Sequence, residues 1–188
     1  MKILFISLGC DKNLADSEEM LGLLTGNGHE IVDSEEEADA IVINTCCFIH
    51  DAKEESVNTI LEMAEYKKTG TCKILIVTGC MAQRYKEEIT EEIPEVDAVL
   101  GTTSYGDIVK ALNEAEAGHV FQEFKDINAL PEDSGRRVIT TGGHFGYLKI
   151  AEGCDKHCTY CIIPSLRGKF RSVPEERLLK QAEYMASQ

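Results

Sequence analysis

The alternation of short apolar runs with helical segments most constrains what this chain can fold into. Apolar runs that end at turn residues occupy residues 2–8, 29–32, 38–44, 73–78 and 96–100. Segments with apolar residues three and four apart lie between and after them, at residues 13–24, 51–66, 85–93 and 104–117. Because apolar strands joined by helical crossovers form parallel sheets covered on both faces, the pattern predicts an α/β fold with an open parallel sheet.

A change of character near residue 118 predicts a domain boundary. Residues 119–142 contain the turn-forming stretch 131–135 and end near Gly142 and Gly143, so they are interpreted as a linker. A strand at 146–150 and a helix at 174–185 are predicted to follow. One strand and one helix cannot bury their own apolar faces. We therefore expect domains at 1–118 and 143–188, the second being the first βα unit of a larger barrel.

Composition limits the compartment and the partners. The 188 residues carry a formal charge of -14 and include 8 cysteines, with neither a leader peptide nor a membrane-length apolar stretch. Cysteines without a secretion signal indicate a reducing compartment, so a cytoplasmic protein with metal-binding thiols is expected. The acidic balance argues against a bare nucleic-acid surface and suits a basic protein partner, although solubility alone would explain it.

Three cysteines near the end of the chain share a spacing typical of metal clusters. Cys154, Cys158 and Cys161 follow the pattern C-x-x-x-C-x-x-C. Three thiolates on a four-iron cluster leave one iron open to a substrate, whereas an electron carrier would use four cysteines. The alternative is a zinc site with His157 as fourth ligand, but His157 adjoins Cys158, which is awkward for tetrahedral geometry.

Three further cysteines each follow a predicted strand. Cys10, Cys46 and Cys80 lie just after the first, third and fourth runs. The carboxyl ends of parallel strands meet at one edge of the sheet, so these thiols could lie together in a ligand crevice. The alternative is three buried core cysteines. Cys47 and Cys72 are interpreted as structural or free thiols, although Cys47 could replace Cys46 as a ligand.

Cys154, Cys158 and Cys161, with the aromatic Tyr160, resemble the signature of the radical S-adenosylmethionine (SAM) enzymes. Together with the earlier set, in this order, they resemble the methylthiotransferases of that class. The resemblance implies two 4Fe-4S clusters and SAM, a flavodoxin-like N-terminal methylthiotransferase domain and a radical SAM (β/α) barrel. It implies cluster ligands in two sets: Cys10, Cys46 and Cys80 in the first, and Cys154, Cys158 and Cys161 in the second.

The resemblance also implies residues that contact SAM. Tyr160 and Arg167 are expected to bind this cofactor. Lys156, Arg167 and Arg171 could steady SAM or the negative clusters, and a solvated basic face is the alternative.

The segment Asp11-Lys12-Asn13 resembles one branch of the family, the RimO type. That branch modifies an aspartate of small-subunit ribosomal protein number twelve, whereas the tRNA-modifying MiaB type usually carries Gln-Met-Asn here. The implied partners are this ribosomal protein, an electron donor of the flavodoxin or ferredoxin type and a sulfur donor, with tRNA as the alternative substrate and no membrane. The family's later barrel strands and C-terminal β-barrel are not among these residues, so a fragment is expected.

Two readings from other classes remain open at this point. Residues 1–118 could be a flavodoxin-like module that binds a nucleotide or flavin without catalysis, but no Gly-rich or Ser/Thr-rich phosphate loop follows the first strand. A zinc-held scaffold is the other alternative. Metal analysis of anaerobically purified protein separates the three.

Overall fold

A computed structural model describes residues 1–132 and 135–188, while Asp133 and Ser134 of the predicted linker lie outside the described residues. The strands of the main sheet are β1 (Lys2–Ser7), β2 (Glu30–Val32), β3 (Ala40–Thr45), β4 (Ile74–Gly79), β5 (Ala98–Leu100) and β6 (Phe121–Glu123). The helices around it are α1 (Asp11–Gly26), α2 (His50–Thr69), α3 (Cys80–Arg84), α4 (Lys86–Glu92) and α5 (Ile108–Glu116).

The main sheet has six parallel strands in the order β2-β1-β3-β4-β5-β6. This order confirms the predicted open, flavodoxin-like α/β fold. The strand order reverses between β1 and β3, and ligands of such sheets bind at the carboxyl ends of the strands on either side of that point. The fold therefore directs attention to the loops that follow β1 and β3.

The core lies on both faces of the sheet, as a parallel sheet requires. Along β3, Ile41 and Ile43 pack towards α2, while Val42 packs on the other face with α1 and α5. All six residues of β3 and of β4 are buried, so these two strands are the centre of the domain. Among the described residues, no helix combines the length and the apolar character needed to cross a membrane.

The sixth strand lies within the predicted linker, so the sheet extends past the expected boundary at residue 118. Strand β6 pairs with β5 through Ala98 and Phe121 at the edge of the sheet. Phe121 is half-buried and Gln122 is exposed. A three-residue edge strand with one apolar side chain has no clear apolar signal, which is why sequence analysis missed it.

The second segment folds differently from its predicted strand. Its elements are β7 (Ala151–Glu152), α6 (Ile163–Arg167), β8 (Arg171–Ser172) and α7 (Glu175–Ser187). The strand expected at 146–150 is not formed; β7 begins at Ala151 and pairs antiparallel with β8. A barrel strand needs parallel neighbours, and the described residues supply none at this position. The barrel itself stays a prediction.

Part of the predicted linker is fastened to α1. Glu18 is fully buried, and its carboxylate accepts hydrogen bonds from Arg137 at 2.5 Å and from the Thr140 amide at 2.7 Å. A side chain at Gly22 would place its Cβ 2.7 Å from the carbonyl oxygen of Arg136. The close approach of the Arg136 backbone to α1 therefore depends on glycine at position 22, and this part of the linker packs directly on α1.

Candidate metal centre

The first cysteine set lies around one cavity at the carboxyl edge of the sheet. Cys10 precedes α1, Cys46 follows β3, and Cys80 is the first residue of α3. All three line a cavity of about 1110 Å³. Cys154 of the second set lines the same cavity, so the two sets face a common space.

Two glycines make the close packing of these loops possible. Gly9 has a φ of +94°, and a Cβ there would lie 2.6 Å from Cys46 Cβ and 2.9 Å from Cys46 Sγ. Gly79 also has a φ of +94°, and its Cβ would lie 2.3 Å from Asn44 Oδ1. Both conformations belong to glycine, and both positions leave no room for a side chain.

Asn13, on the first turn of α1, connects the three loops. It is fully buried, and its Nδ2 donates to the carbonyl oxygens of Leu8 and Thr45, each at 2.9 Å. These residues precede the loops that carry Cys10 and Cys46. Its Oδ1 lies 3.8 Å from Cys80 Sγ. In the sequence, Asn13 stands out only as part of the segment Asp11-Lys12-Asn13, because its role depends on contacts between distant loops.

The Cys46 loop is held on its other side by α2. Ser56 Oγ accepts a hydrogen bond from the Cys46 amide at 3.0 Å and donates one to the Cys46 carbonyl at 2.8 Å. Ser56 is fully buried, so water does not compete for this pair of bonds. Both backbone groups of Cys46 are thereby fixed without using its thiol.

Cys47 and Cys72 lie away from the cavity. Cys47 Sγ donates to the Cys80 carbonyl at 3.3 Å, and burial raises the pKa of the Cys47 thiol to about 11. Cys72 Sγ donates to the Ile74 carbonyl at 3.3 Å, and burial raises its pKa as well. Both side chains are buried, and neither lines the cavity.

Burial also raises the pKa of Cys80, although the Arg167 guanidinium beside it opposes the shift. The thiol therefore holds its proton more strongly than an exposed cysteine does. A metal that bound this thiol would displace that proton, because the thiolate is the ligand form of cysteine.

The second cysteine set occupies a loop that packs on the α6–β8 turn. Gly153 has a φ of +72°, and a Cβ there would lie 2.1 Å from the Lys169 carbonyl oxygen. The Cys154 amide donates to the Gly168 carbonyl at 3.1 Å. Cys158 is exposed and Cys161 is half-buried. The loop thus turns back on itself with its thiols accessible.

The two expected SAM contacts have different surroundings. Tyr160 is 89% exposed and lies within the loop, between Cys158 and Cys161. Arg167 is buried and lines the cavity. Its guanidinium donates to Asp16 at 2.7 Å and to Asn13 at 2.6 Å, so part of its hydrogen-bonding capacity is already used.

A buried ionic network surrounds Arg167. Asp16 contacts both Arg167 and Lys149, and Glu152 lies 2.9 Å from Lys149 Nζ and 3.3 Å from Arg167 Nη1. Burial alone would raise the pKa of Glu152, but Lys149 and Arg167 overcome this and lower it to about 2. Glu152 is therefore ionised and paired, as a buried charge must be, and Asp16 pairs with the same two cations. No pattern in the sequence predicts this network.

The ligand geometry bears on which metal group these residues fit. Within residues 1–132 and 135–188, no three His, Cys, Asp or Glu side chains are gathered closely enough for a single ion. A mononuclear zinc scaffold, including one with His157, therefore lacks support. A four-iron cluster binds each thiolate through a different iron, so its ligands stand apart around a space. The placement of Cys10, Cys46 and Cys80 around one cavity is compatible with such a cluster.

The phosphate-binding alternative also finds little support at this edge. The loop between β1 and α1 is Leu8-Gly9-Cys10, and the first residue of α1 is Asp11. A carboxylate in the first turn opposes a phosphate, because the two negative charges repel each other and compete for the same amide groups of the helix N-terminus. The flavodoxin-like sheet here carries thiols where a nucleotide-binding protein needs a phosphate loop.

Comparison with known proteins gives a family and several close relatives. Residues 2–101 match the family described as "Uncharacterized protein family UPF0004". Proteins named "Ribosomal protein uS12 methylthiotransferase RimO" are similar over nearly the whole chain. The protein from Lachnoclostridium phytofermentans is 64% identical over 186 residues, which are 99% of this chain and 42% of that protein. The one from Clostridioides difficile is 50% identical, with the same coverage of 99% and 42%.

The relative from Acetivibrio thermocellus is 49% identical over 192 residues, covering 98% of this chain and 42% of its own length. The chain thus spans about 42% of the length of each of these three curated relatives. The family match covers more than half of the chain and ends just beyond β5. The chain therefore belongs to the UPF0004 family and is similar, over nearly all its residues, to RimO methylthiotransferases.

Proposed function

We propose that this chain is part of a radical SAM methylthiotransferase that adds a methylthio group to the β-carbon of an aspartate in ribosomal protein uS12. The observation that carries the proposal is the cavity onto which Cys10, Cys46, Cys80 and Cys154 all open. A reaction that joins sulfur to carbon needs both of its cofactor sites to reach the same substrate. The names of the relatives support the choice of substrate.

Each cysteine set would hold one 4Fe-4S cluster through three thiolates. The first set is Cys10, Cys46 and Cys80, and the second is Cys154, Cys158 and Cys161. When bound, the clusters and SAM would supply the one-electron chemistry that an unactivated C–H bond requires, together with the sulfur and the methyl group. Three protein ligands leave one iron of each cluster for a ligand other than protein.

The chain's own residues would shape and shield the space between the clusters. Leu8, Phe48, Ile49, Ile163 and Leu166 line the cavity with apolar surface. Such walls exclude water from the reacting atoms and prevent side reactions. Gly9 and Gly79 would let the backbone lie close to a cluster held there, and the chemistry of such a cluster would favour amide groups that donate to its sulfur.

Tyr160 and Arg167 remain proposed SAM contacts. Tyr160 is exposed beside the second cysteine set, so its ring is free to cover a bound cofactor. Arg167 lines the cavity beneath the same loop, and its positive charge would favour an anionic group there. A buried guanidinium held by Asp16 and Asn13 is well oriented for this purpose.

The charge of the chain supports a basic protein substrate. The formal charge is -14, and Asp51 and Glu55 line the cavity. A negative surface attracts a basic ribosomal protein and repels a phosphate backbone. We place the protein in the cytoplasm with the ribosome. An electron donor of the flavodoxin or ferredoxin type and a sulfur donor would complete the reaction.

Mass spectrometry of a strain lacking the gene tests the proposal. Replacing hydrogen by SCH₃ adds about 46 Da to the modified protein. We expect this increment on uS12 from the parent strain, its loss in the deletion strain, and its return with the full-length gene. Loss of a methylthio group from tRNA, with uS12 unchanged, would instead assign the protein to the tRNA-modifying MiaB type.

A further inference from the structure

Asn13 Oδ1 contacts side chains from both cysteine segments. Arg167 Nη2 donates to it at 2.6 Å, and Cys80 Sγ lies 3.8 Å from it. Arg167 ends α6, just after the second cysteine loop, and lies 154 residues from Asn13 in sequence. One amide oxygen therefore joins a ligand candidate of the first set to an arginine from the segment of the second.

Arg167 reaches this position because α6 is docked on the sheet domain. Leu166 packs in the same core cluster as Cys80 and Met81, and its carbonyl accepts a hydrogen bond from Thr102 Oγ1 at 2.7 Å. Asp16 fixes the other side of the guanidinium at 2.7 Å. The positive charge is thus held at the wall of the cavity.

The Asn13 side chain is held by other hydrogen bonds and cannot reorient to accommodate a change at Arg167. Its Nδ2 is engaged by the Leu8 and Thr45 carbonyls, and its own carbonyl accepts from Asn44 Nδ2 at 2.9 Å. The orientation of its Oδ1 is therefore fixed by the loops before Cys10 and Cys46. Displacing Arg167 would act directly on Asn13 Oδ1, the acceptor that these loops hold 3.8 Å from Cys80 Sγ.

We propose that Asn13 and Arg167 are a pair of positioning residues through which the second cysteine segment sets the geometry and reduction potential of the cluster on Cys10, Cys46 and Cys80. This inference rests on the proposed function, because it concerns the first of the two proposed clusters. Reduction adds negative charge to a cluster, and a nearby buried guanidinium favours the reduced form.

The test isolates the first cluster. In the full-length protein, changing Cys154, Cys158 and Cys161 to Ala removes the second cluster, and anaerobic reconstitution loads the first. Potentiometric titration followed by electron paramagnetic resonance then gives its midpoint potential. Into this background are placed Arg167→Gln, Arg167→Lys and Asn13→Ser.

Arg167→Gln should disfavour reduction about tenfold, which corresponds to a midpoint about 59 mV more negative for a one-electron couple. Arg167→Lys keeps the charge and should recover most of that shift. Asn13→Ser keeps the ionic network but removes the amide, so it should alter the resonance spectrum of the reduced cluster. Asn13→Ser also decides the question if Arg167→Gln fails to fold.

Lys149→Gln is the matched control. Lys149 pairs with Asp16 and Glu152, as Arg167 does, and none of its described contacts reaches Asn13. It should lower stability while changing the reduction equilibrium less than about twofold. A potential that moves equally in Lys149→Gln and Arg167→Gln, or a parental spectrum in Asn13→Ser, overturns the inference. A background protein that binds no iron overturns the proposed function instead, and this inference with it.

Discussion

Arg167 Nη1 lies 2.7 Å from Asp16 Oδ2, and the two side chains are buried as an ion pair between α6 and α1. Lys149 contacts the same carboxylate. The first helix of the sheet domain thereby fixes the segment that carries the second cysteine set. The common cavity of the two sets depends on this pair, because Arg167 and Cys154 both line it.

Asp16→Asn should therefore lower the free energy of unfolding by about 3–5 kcal/mol, the usual cost of breaking a buried ion pair from one side. Arg167 and Lys149 would stay buried with Glu152 as their remaining carboxylate. Urea unfolding in the presence of reductant measures the change. Lys68→Ala is the control, since its pairs with Glu65 and Glu95 lie at the surface and its loss should leave the free energy of unfolding close to that of the parent. Equal losses in the two variants would contradict the role of Asp16.

Glu152 should make stability depend on pH in acid. Its pKa is about 2 in the folded protein against an ordinary 4.5, so its contribution is complete above pH 4.5 and is lost as the pH falls towards 2. The contribution is on the order of 3 kcal/mol. Unfolding free energies at a series of pH values should decline more steeply in the parent than in Glu152→Gln. Parallel curves for the two proteins would refute this assignment.

Gly9→Ala should destabilise the chain and displace Cys46. The new Cβ would lie 2.6 Å from Cys46 Cβ at a φ of +94°, so both a clash and backbone strain arise. Strain alone costs about 1–3 kcal/mol. Gly106→Ala is the control because nothing lies within 4 Å of a Cβ there. Denaturant unfolding and iron content after reconstitution give the readouts. Full iron with unchanged stability in Gly9→Ala would show that the loops tolerate a side chain.

Cys46→Ala should abolish the first cluster, whereas Cys47→Ala and Cys72→Ala should keep it. Cys46 lines the cavity, and the other two thiols donate to backbone carbonyls elsewhere. Iron analysis of the three variants, reconstituted side by side, tests this. Loss of the cluster in Cys47→Ala with retention in Cys46→Ala would move the ligand assignment by one residue.

Local pattern was sufficient for the central part of the fold. Strands β3 and β4 are continuous apolar runs, and fully buried parallel strands have that composition, so their positions could be predicted. The placement of Cys10, Cys46 and Cys80 at one edge follows from the parallel topology. Strand β6 could not be predicted, because its pairing with β5 depends on backbone hydrogen bonds and little on apolar side chains.

The contacts between the two segments could not be predicted from the sequence either. Asn13 is 154 residues from Arg167, and Glu18 is 119 residues from Arg137. A single buried charge leaves no periodic pattern in the sequence. Which residue it pairs with depends on how the two segments pack together. Resemblance to the family therefore suggests Arg167 as a cofactor contact, but the sequence does not reveal the carboxylate and the amide that hold its guanidinium.

Iron stoichiometry tests the central claim most directly. Anaerobic reconstitution of the full-length protein should give about eight irons per chain, and about four after Cys154, Cys158 and Cys161 are changed to Ala together. The complementary triple variant of Cys10, Cys46 and Cys80 should also keep about four. Two independent losses of this size support two clusters, each held by three cysteines around the common cavity. Loss of all iron, or of none, in either triple variant would contradict the account.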